Sequence, residues 1–297
     1  MTDLSIIILS FNTKDLTENC LKSVLKTLKK SSAKYEVVVV DNGSVDASIT
    51  MLERMATTFK TAGISFVLLK NKENVGFPKG NNQGVERAKG KYILYLNSDV
   101  ILEKVDFDEL MQYMEENPKV GGLTVNVRLP NGAIDPASHR GFPTPWNSFS
   151  YFTKLEKITK NIPVLNKIFG GYHLTHLDLR TVHEIDAPAA AFYLTRKSIL
   201  DKLGGFDDKR FFAYGEDIDL TYRTKKLGYT IIYYPLNKII HYKSSSGLRS
   251  KDPAVRKKIR VHFNQAMKIF YKKHYEKQYP SFINKVVYFF IDLKNRQ

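Results

Sequence analysis

Apolar residues in this chain come in short blocks separated by polar turns. Residues 4–9 form one apolar run, after which Leu16, Cys20, Val24 and Leu28 recur at helical spacing. A valine-rich run at 35–40 stops at Asp41-Asn42-Gly43-Ser44, a turn signal, and a helix is expected over 46–59. Residues 64–69 read as a third strand, and 91–100 as a buried central strand that ends abruptly in Asn97-Ser98-Asp99. Strands alternating with helices at this spacing predict an α/β fold: a Rossmann-like, mostly parallel sheet with right-handed crossovers and helices on both faces. Further on, the pattern predicts a helix over 107–114 and a strand over 120–127. Short amphipathic helices are expected within 149–172, strand material at 185–195, 231–234 and 239–241, and a helix over 216–227.

Several polar punctuation points carry chemistry. Ligands of open α/β sheets bind beyond the carboxyl ends of the strands, where Asp99 is expected to emerge. Magnesium or manganese holding a diphosphate is a natural partner for such a carboxylate, and a plain turn accounts for the triplet as well. Gly76, Gly80 and Gly84 stand four apart before a helix whose free amides would face an anion, in a spacing that is neither the P-loop nor the dinucleotide fingerprint. Glu216, Asp217 and Asp219 fall within four residues at a helix start, more acid than a helix dipole asks for. With Phe211, Phe212 and Tyr214 beside them they read as an acid/base site with an aromatic wall. His241 ends an apolar run much as Asp99 does, which suits a metal or phosphate contact or a structural role. The loop-rich stretch 129–146, which carries the chain's one tryptophan, reads as a binding loop or lid.

Composition narrows the partners. One cysteine among 297 residues excludes a disulfide framework or a cysteine-rich metal site and fits a reducing cytoplasm. The first residues read as a strand rather than a signal peptide, and no apolar stretch is long enough for a membrane span. The net charge of +16 is uneven: residues 249–297 hold 13 of the 46 lysines and arginines and three of the 30 acids. A basic amphipathic tail on a nearly balanced body suggests an anionic membrane surface rather than nucleic acid. In that tail Val255, Ile259, Phe263, Ala266 and Phe270 share one helical stripe, with Arg256, Lys257, Lys258, Lys268, Lys272 and Lys273 off it. A second aromatic, apolar helix follows at 283–293.

Taken in order, Ser-Phe-Asn at 10–12, Val-Asp-Asn-Gly-Ser at 40–44, Asn-Val-Gly-Phe at 74–77, Leu-Asn-Ser-Asp at 96–99, Phe-Pro-Thr at 142–144, Gly-Gly-Phe-Asp at 204–207, Gly-Glu-Asp-Ile-Asp-Leu at 215–220 and His241 resemble the inverting glycosyltransferases of family 2, with the GT-A fold, in their rhamnosyltransferase-like branch. The resemblance runs from residue 4 to about 247. It implies one GT-A unit over 1–248, with a nucleotide-binding half at 1–115 and an acceptor-binding half at 116–248, followed by the helical tail 249–297. It implies a donor site of Ser10, Phe11, Asn12, Asp41, Asn42, Gly76, Phe77, Gly80, Asn81, Asn97 and Ser98, with Asp41 on the nucleotide base. Asp99 and His241 would hold a divalent cation, manganese or magnesium, with Asn97 standing where many members carry a first aspartate. Asp217 would be the general base and Glu216 its catalytic neighbour. Ala190 stands where relatives often carry glycine before the acceptor.

The expected activity is transfer of a sugar from a nucleoside-diphosphate sugar, such as dTDP-rhamnose or a UDP-sugar, to a hydroxyl of a lipid-linked or polymeric glycan. The expected place is the cytoplasmic face of the cell membrane, held through the tail. A nucleotidyltransferase sharing the Rossmann-like half, or a non-catalytic basic protein binding polyanions, are the rivals. Carboxylate clusters lining a cleft would repel a polyanion, so no nucleic acid partner is expected.

Overall fold

The computed structural model describes residues 2–29, 31, 33–243 and 253–295. The expected boundary at 248/249 lies outside the described residues, as do the side chains of Val255, Arg256 and Lys258. In chain order the elements are β1 (Leu4–Ser10), α1 (Lys14–Leu28), β2 (Tyr35–Asp41), α2 (Ser48–Thr61), β3 (Ser65–Lys70), α3 (Phe77–Arg87), β4 (Tyr92–Asn97), β5 (Val100–Lys104), α4 (Phe107–Glu116) and β6 (Val120–Arg128). There follow α5 (Pro145–Phe152), α6 (Leu155–Ile158), α7 (Pro163–Phe169), β7 (His183–Ile185), β8 (Phe192–Arg196), α8 (Lys197–Leu203), α9 (Glu216–Lys226), β9 (Thr230–His241), α10 (Pro253–His274) and α11 (Ser281–Asn295).

One nine-stranded sheet runs in the order β3-β2-β1-β4-β8-β6-β9-β5, with β7 added beside β9. The first four strands in that order are parallel, because a helix after each of β1, β2 and β3 carries the chain back to the opposite end before the next strand begins. β8 then runs antiparallel to β4 and β6, and β5 and β7 run antiparallel to β9, so the second half is mixed. The halves expected at 1–115 and 116–248 thus share one continuous sheet.

Strand residues buried on both faces explain the unbroken apolar runs. Leu4, Ile6 and Ile8 of β1 face α1, α2 and α4 through Cys20, Leu21, Val24, Leu52, Phe59 and Leu110. Ile7, Val38 and Ile93 face the other way, toward Val85 of α3, Leu200 of α8 and Leu220 of α9. A third cluster joins Phe211 to Ala266, Phe270 and Tyr271 of α10 and to Tyr275 just beyond its end. α10 is therefore docked on the body, and its apolar stripe is partly a packing stripe. The aromatic wall read beside the acids is its seat: Phe211 is buried, Phe212 stacks on His262 at 4.8 Å, and Tyr214 meets Phe263 edge-on at 5.7 Å.

Candidate active site

Parallel pairing aligns the strand ends. Ser10 pairs with Asp41, and Leu9 with Asn97, so the carboxyl ends of β1, β2 and β4 open on one rim. The loops there are cross-tied: Asn12 accepts from the Val45 amide at 2.8 Å, and its own amide donates to Ser44 Oγ at 2.9 Å. Asp41 is wholly buried. Its Oδ2 accepts from the Ser44 amide at 2.9 Å, while its Oδ1 has no hydrogen-bond partner among the described residues. A buried carboxylate oxygen left without a donor costs about 1–3 kcal/mol or more, which a ligand N–H at this rim would relieve.

The remaining donor residues divide. Asn42 is consumed by the next loop: it donates to Asn74 and Gly76 and accepts from Asn71 and the Val75 amide. Gly76 has φ +93°, and a Cβ there would lie 2.7 Å from the Phe212 carbonyl, so glycine lets this loop lie against the chain before α9. Gly80 and Asn81 both have packing roles under the rim. Gly80 sits where a Cβ would reach within 2.5 Å of Leu9, which makes it a helix-to-sheet packing residue. Asn81 is buried and donates to the Phe77 carbonyl, and Phe77 packs on Phe206 in the core.

Beyond β4 the turn holding Asn97, Ser98 and Asp99 leads directly into β5, a strand the apolar pattern merged with its neighbour. Val100 pairs with His241, and the Tyr242 amide donates to the Asp99 carbonyl, so antiparallel pairing brings His241 beside Asp99. His241 Nε2 stands 3.2 Å from Asp99 Oδ1 and 3.5 Å from Asn97 Nδ2. Its Nδ1 donates to Asp135 Oδ2 at 2.8 Å, and Asp135 Oδ1 accepts from Lys243 at 2.6 Å. Burial alone would lower the His241 pKa, but the bonds to Asp135 and Asp99 outweigh it and push it up to about 9. Burial would raise Asp135, yet His241 and Lys243 hold it well below the usual carboxylate range.

Asp99 and His241 fit a divalent cation, since a ligating histidine characteristically gives its other nitrogen to a carboxylate, the part Asp135 plays. Two protein ligands leave room for phosphate oxygens. Among the described residues no cluster of three or more His, Cys, Asp or Glu side chains could hold a metal without such help.

Asp135 escaped sequence reading, although the loop 129–146 that carries it was singled out by its length. Five residues on, the same loop supplies Arg140, which is buried and donates to Asp217 Oδ2 at 2.9 Å. Asp217 Oδ1 accepts from the Ile218 amide at 2.8 Å. One loop thus ties the Asp99–His241 pair to the acids opening α9.

Those three acids do different things. Asp219 is fully buried and accepts from Arg223, Lys273 and His274 at 2.6–2.7 Å, pinning α10 to α9. Burial would raise its pKa, but these donors hold it at about 2. Glu216 is buried with Oε2 unpartnered among the described residues. Burial first, then the neighbouring Asp217 charge, push it up to about 8. Asp217 is the partly exposed one. Among the described residues five non-glycine residues have positive φ, and three of them, Asn12, Tyr214 and Lys243, border this region; such strain collects at functional sites.

A Rossmann-like half whose strand ends carry a buried acid, joined in one sheet to a mixed half that brings up a second carboxylate, defines a GT-A glycosyltransferase unit. The family model for glycosyl transferase family 2 matches residues 5–178, and the chain belongs to that family. It is 26% identical over 235 residues to the rhamnosyltransferase WbbL of Escherichia coli, covering 76% of this chain and 79% of that one. It is 27% identical over 217 residues to the O-antigen biosynthesis protein RfbC of Myxococcus xanthus, covering 71% of this chain but spanning 15% of that protein's length. In fold it is similar to a mannosyltransferase of Pyrobaculum calidifontis solved with GDP-Man and Mn²⁺, with a TM-score of 0.57 at 17% identity, covering 91% of this chain and 64% of that one.

Proposed function

We propose that this protein transfers a sugar, with inversion, from a nucleoside-diphosphate sugar to a hydroxyl of a lipid-linked or polymeric glycan, at the inner face of the cell membrane. The observation that carries the reading is the Asp135–His241–Asp99 chain at the rim, tied through one loop to Asp217. Ser10, Asn12 and Asp41 bind the nucleotide, with the unpaired Asp41 oxygen taking a base N–H. Asp99 and His241 hold a divalent cation, whose chemistry when bound is to neutralise charge growing on the departing diphosphate. Asp217 takes the proton of the acceptor hydroxyl as it attacks the anomeric carbon from the far side, and Arg140 fixes the carboxylate for that task. Glu216, whose burial and whose neighbour Asp217 both favour its neutral form, lies beside it without adding a second charge.

Support for a membrane shifts within the tail. Lys273 is paired with Asp207 and Asp219, and Lys268 with Asp292, so part of the cationic charge serves packing. α11 leaves Phe282, Val286, Phe289, Phe290 and Leu293 exposed along one stripe. No helix among the described residues is long and apolar enough to cross a membrane.

Thermal stabilisation measured across UDP-, dTDP- and GDP-sugars with manganese tests the donor reading, because a ligand that binds the folded state raises the melting temperature by mass action. One nucleotide class is expected to stabilise in a manganese-dependent way. Stabilisation by single-stranded nucleic acid and by no sugar nucleotide would overturn the reading.

A further inference from the structure

Between Gly141 and Tyr172 the chain leaves the body and returns. The Gly141 amide donates to the Tyr172 carbonyl at 2.9 Å, closing a neck around α5, α6 and α7. These helices have eight, four and seven residues, too short to bury a face of their own. Trp146, Phe149, Ile158, Ile162, Val164 and Ile168 are all exposed, Ile158 at 71% and Val164 at 69%. Soluble monomers rarely leave so many large apolar side chains together in water.

The excursion is nonetheless braced. Trp146 Nε1 donates to the Ile168 carbonyl at 2.9 Å, the Trp146 and Phe169 rings lie 5.4 Å apart, and Glu156 pairs with His173 at 3.0 Å. That pairing has a second effect. Glu156 is the one acid in the excursion and it is buried, whereas Lys154, Lys157, Lys160 and Lys167 are all exposed. Every exposed charge on this apolar surface is positive.

We propose that residues 142–171 form an interfacial wedge that seats the protein on an anionic lipid bilayer, apolar side chains in the acyl boundary and lysines among the headgroups. This rests on the membrane-facing acceptor proposed above and assigns the contact to a different element from the tail. Charge complementarity selects the bilayer as occupant, and a tryptophan at the edge of an apolar surface suits the membrane–water interface. The position gives the contact a use. The residue before the neck is Arg140, whose carbonyl accepts from the Asp186 and Ala187 amides and whose guanidinium holds Asp217. A bilayer-anchored glycan would therefore present its hydroxyl near the base.

Trp146, the chain's one tryptophan, is a built-in reporter. The full chain is titrated with vesicles of phosphatidylcholine alone or mixed with phosphatidylglycerol, following tryptophan emission and co-sedimentation. Anionic vesicles are expected to blue-shift the emission. The Ile158→Asp/Val164→Asp variant, altered only at exposed positions, is expected to bind at least about tenfold more weakly while keeping its manganese-dependent response to donor. A Phe282→Asp/Phe289→Asp variant in α11 should retain the blue shift. Binding with unmoved emission and no effect of the excursion variant overturns the wedge but leaves a membrane contact through α11. No binding by the full chain overturns both readings. A blue shift that grows with protein concentration in the absence of lipid overturns the bilayer in favour of a second copy.

Discussion

In the proposed reaction, Asp217 and Asp135 are where single atoms decide the chemistry. Asp217→Asn keeps the shape and the bond from Arg140 but cannot take a proton, so kcat is expected to fall about 10²–10⁴-fold with donor affinity retained. Steady-state kinetics alongside donor titration checks it, and a near-normal kcat would pass the role to Glu216. Asp135→Asn leaves His241 and Lys243 with one poor acceptor between them. The manganese concentration needed for donor-dependent stabilisation is then expected to rise roughly 10–100-fold. An unchanged requirement would remove His241 from the cation site. Asp99, His241 and Asp217 could be picked out as candidates because each stands at or beside the end of an element, which sequence shows. Asp135 and Arg140 lie inside an irregular loop with no periodicity to place them, and only the fold brings them to their partners.

At the scale of elements, the packing of α10 and the neck histidines make separate predictions. A chain ending at Lys243 would uncover Phe211 and strip Asp219 of Lys273 and His274. Breaking such a buried pair costs about 3–5 kcal/mol, so the melting temperature is expected to drop by on the order of 10 °C in a scan of the two chains. The sequence showed the apolar stripe of α10 but not its destination, since a cationic amphipathic helix reads the same whether it meets lipid or protein. Beside the neck, His139 is buried with Nε2 at 2.6 Å from His183 Nε2, and its Nδ1 donates to the His173 carbonyl at 3.1 Å. That arrangement shares one proton, and burial chiefly, with the His183 charge, pulls the His139 pKa down to about 4. A depressed histidine contributes stability that is present above its unfolded pKa and lost as pH falls toward 4, by on the order of 3 kcal/mol in all. Melting curves between about pH 7 and 5 should show the loss, and His139→Gln should flatten it.

For the molecule as a whole, the alternation of strands and helices through residue 97 foretold a parallel half, and the sheet follows it strand for strand. The mixed half was harder to read because β5 follows β4 after two residues and β8 inserts between β4 and β6, pairings that depend on distant chain. Hydrophobic runs say that a strand is buried; they do not say which way it points. The hydrogen bond between Gly141 and Tyr172 has an evolutionary implication as well as a mechanical one. Two chain ends held that close can be joined by a short turn at little entropic expense, so the segment between them behaves as an exchangeable cassette. Replacing residues 142–171 by a glycine-rich tetrapeptide is expected to leave a folded protein whose circular dichroism loses only the signal of α5, α6 and α7 and whose melting still responds to donor. A lineage could swap that cassette, and with it the surface on which the enzyme works, without redrawing the catalytic floor.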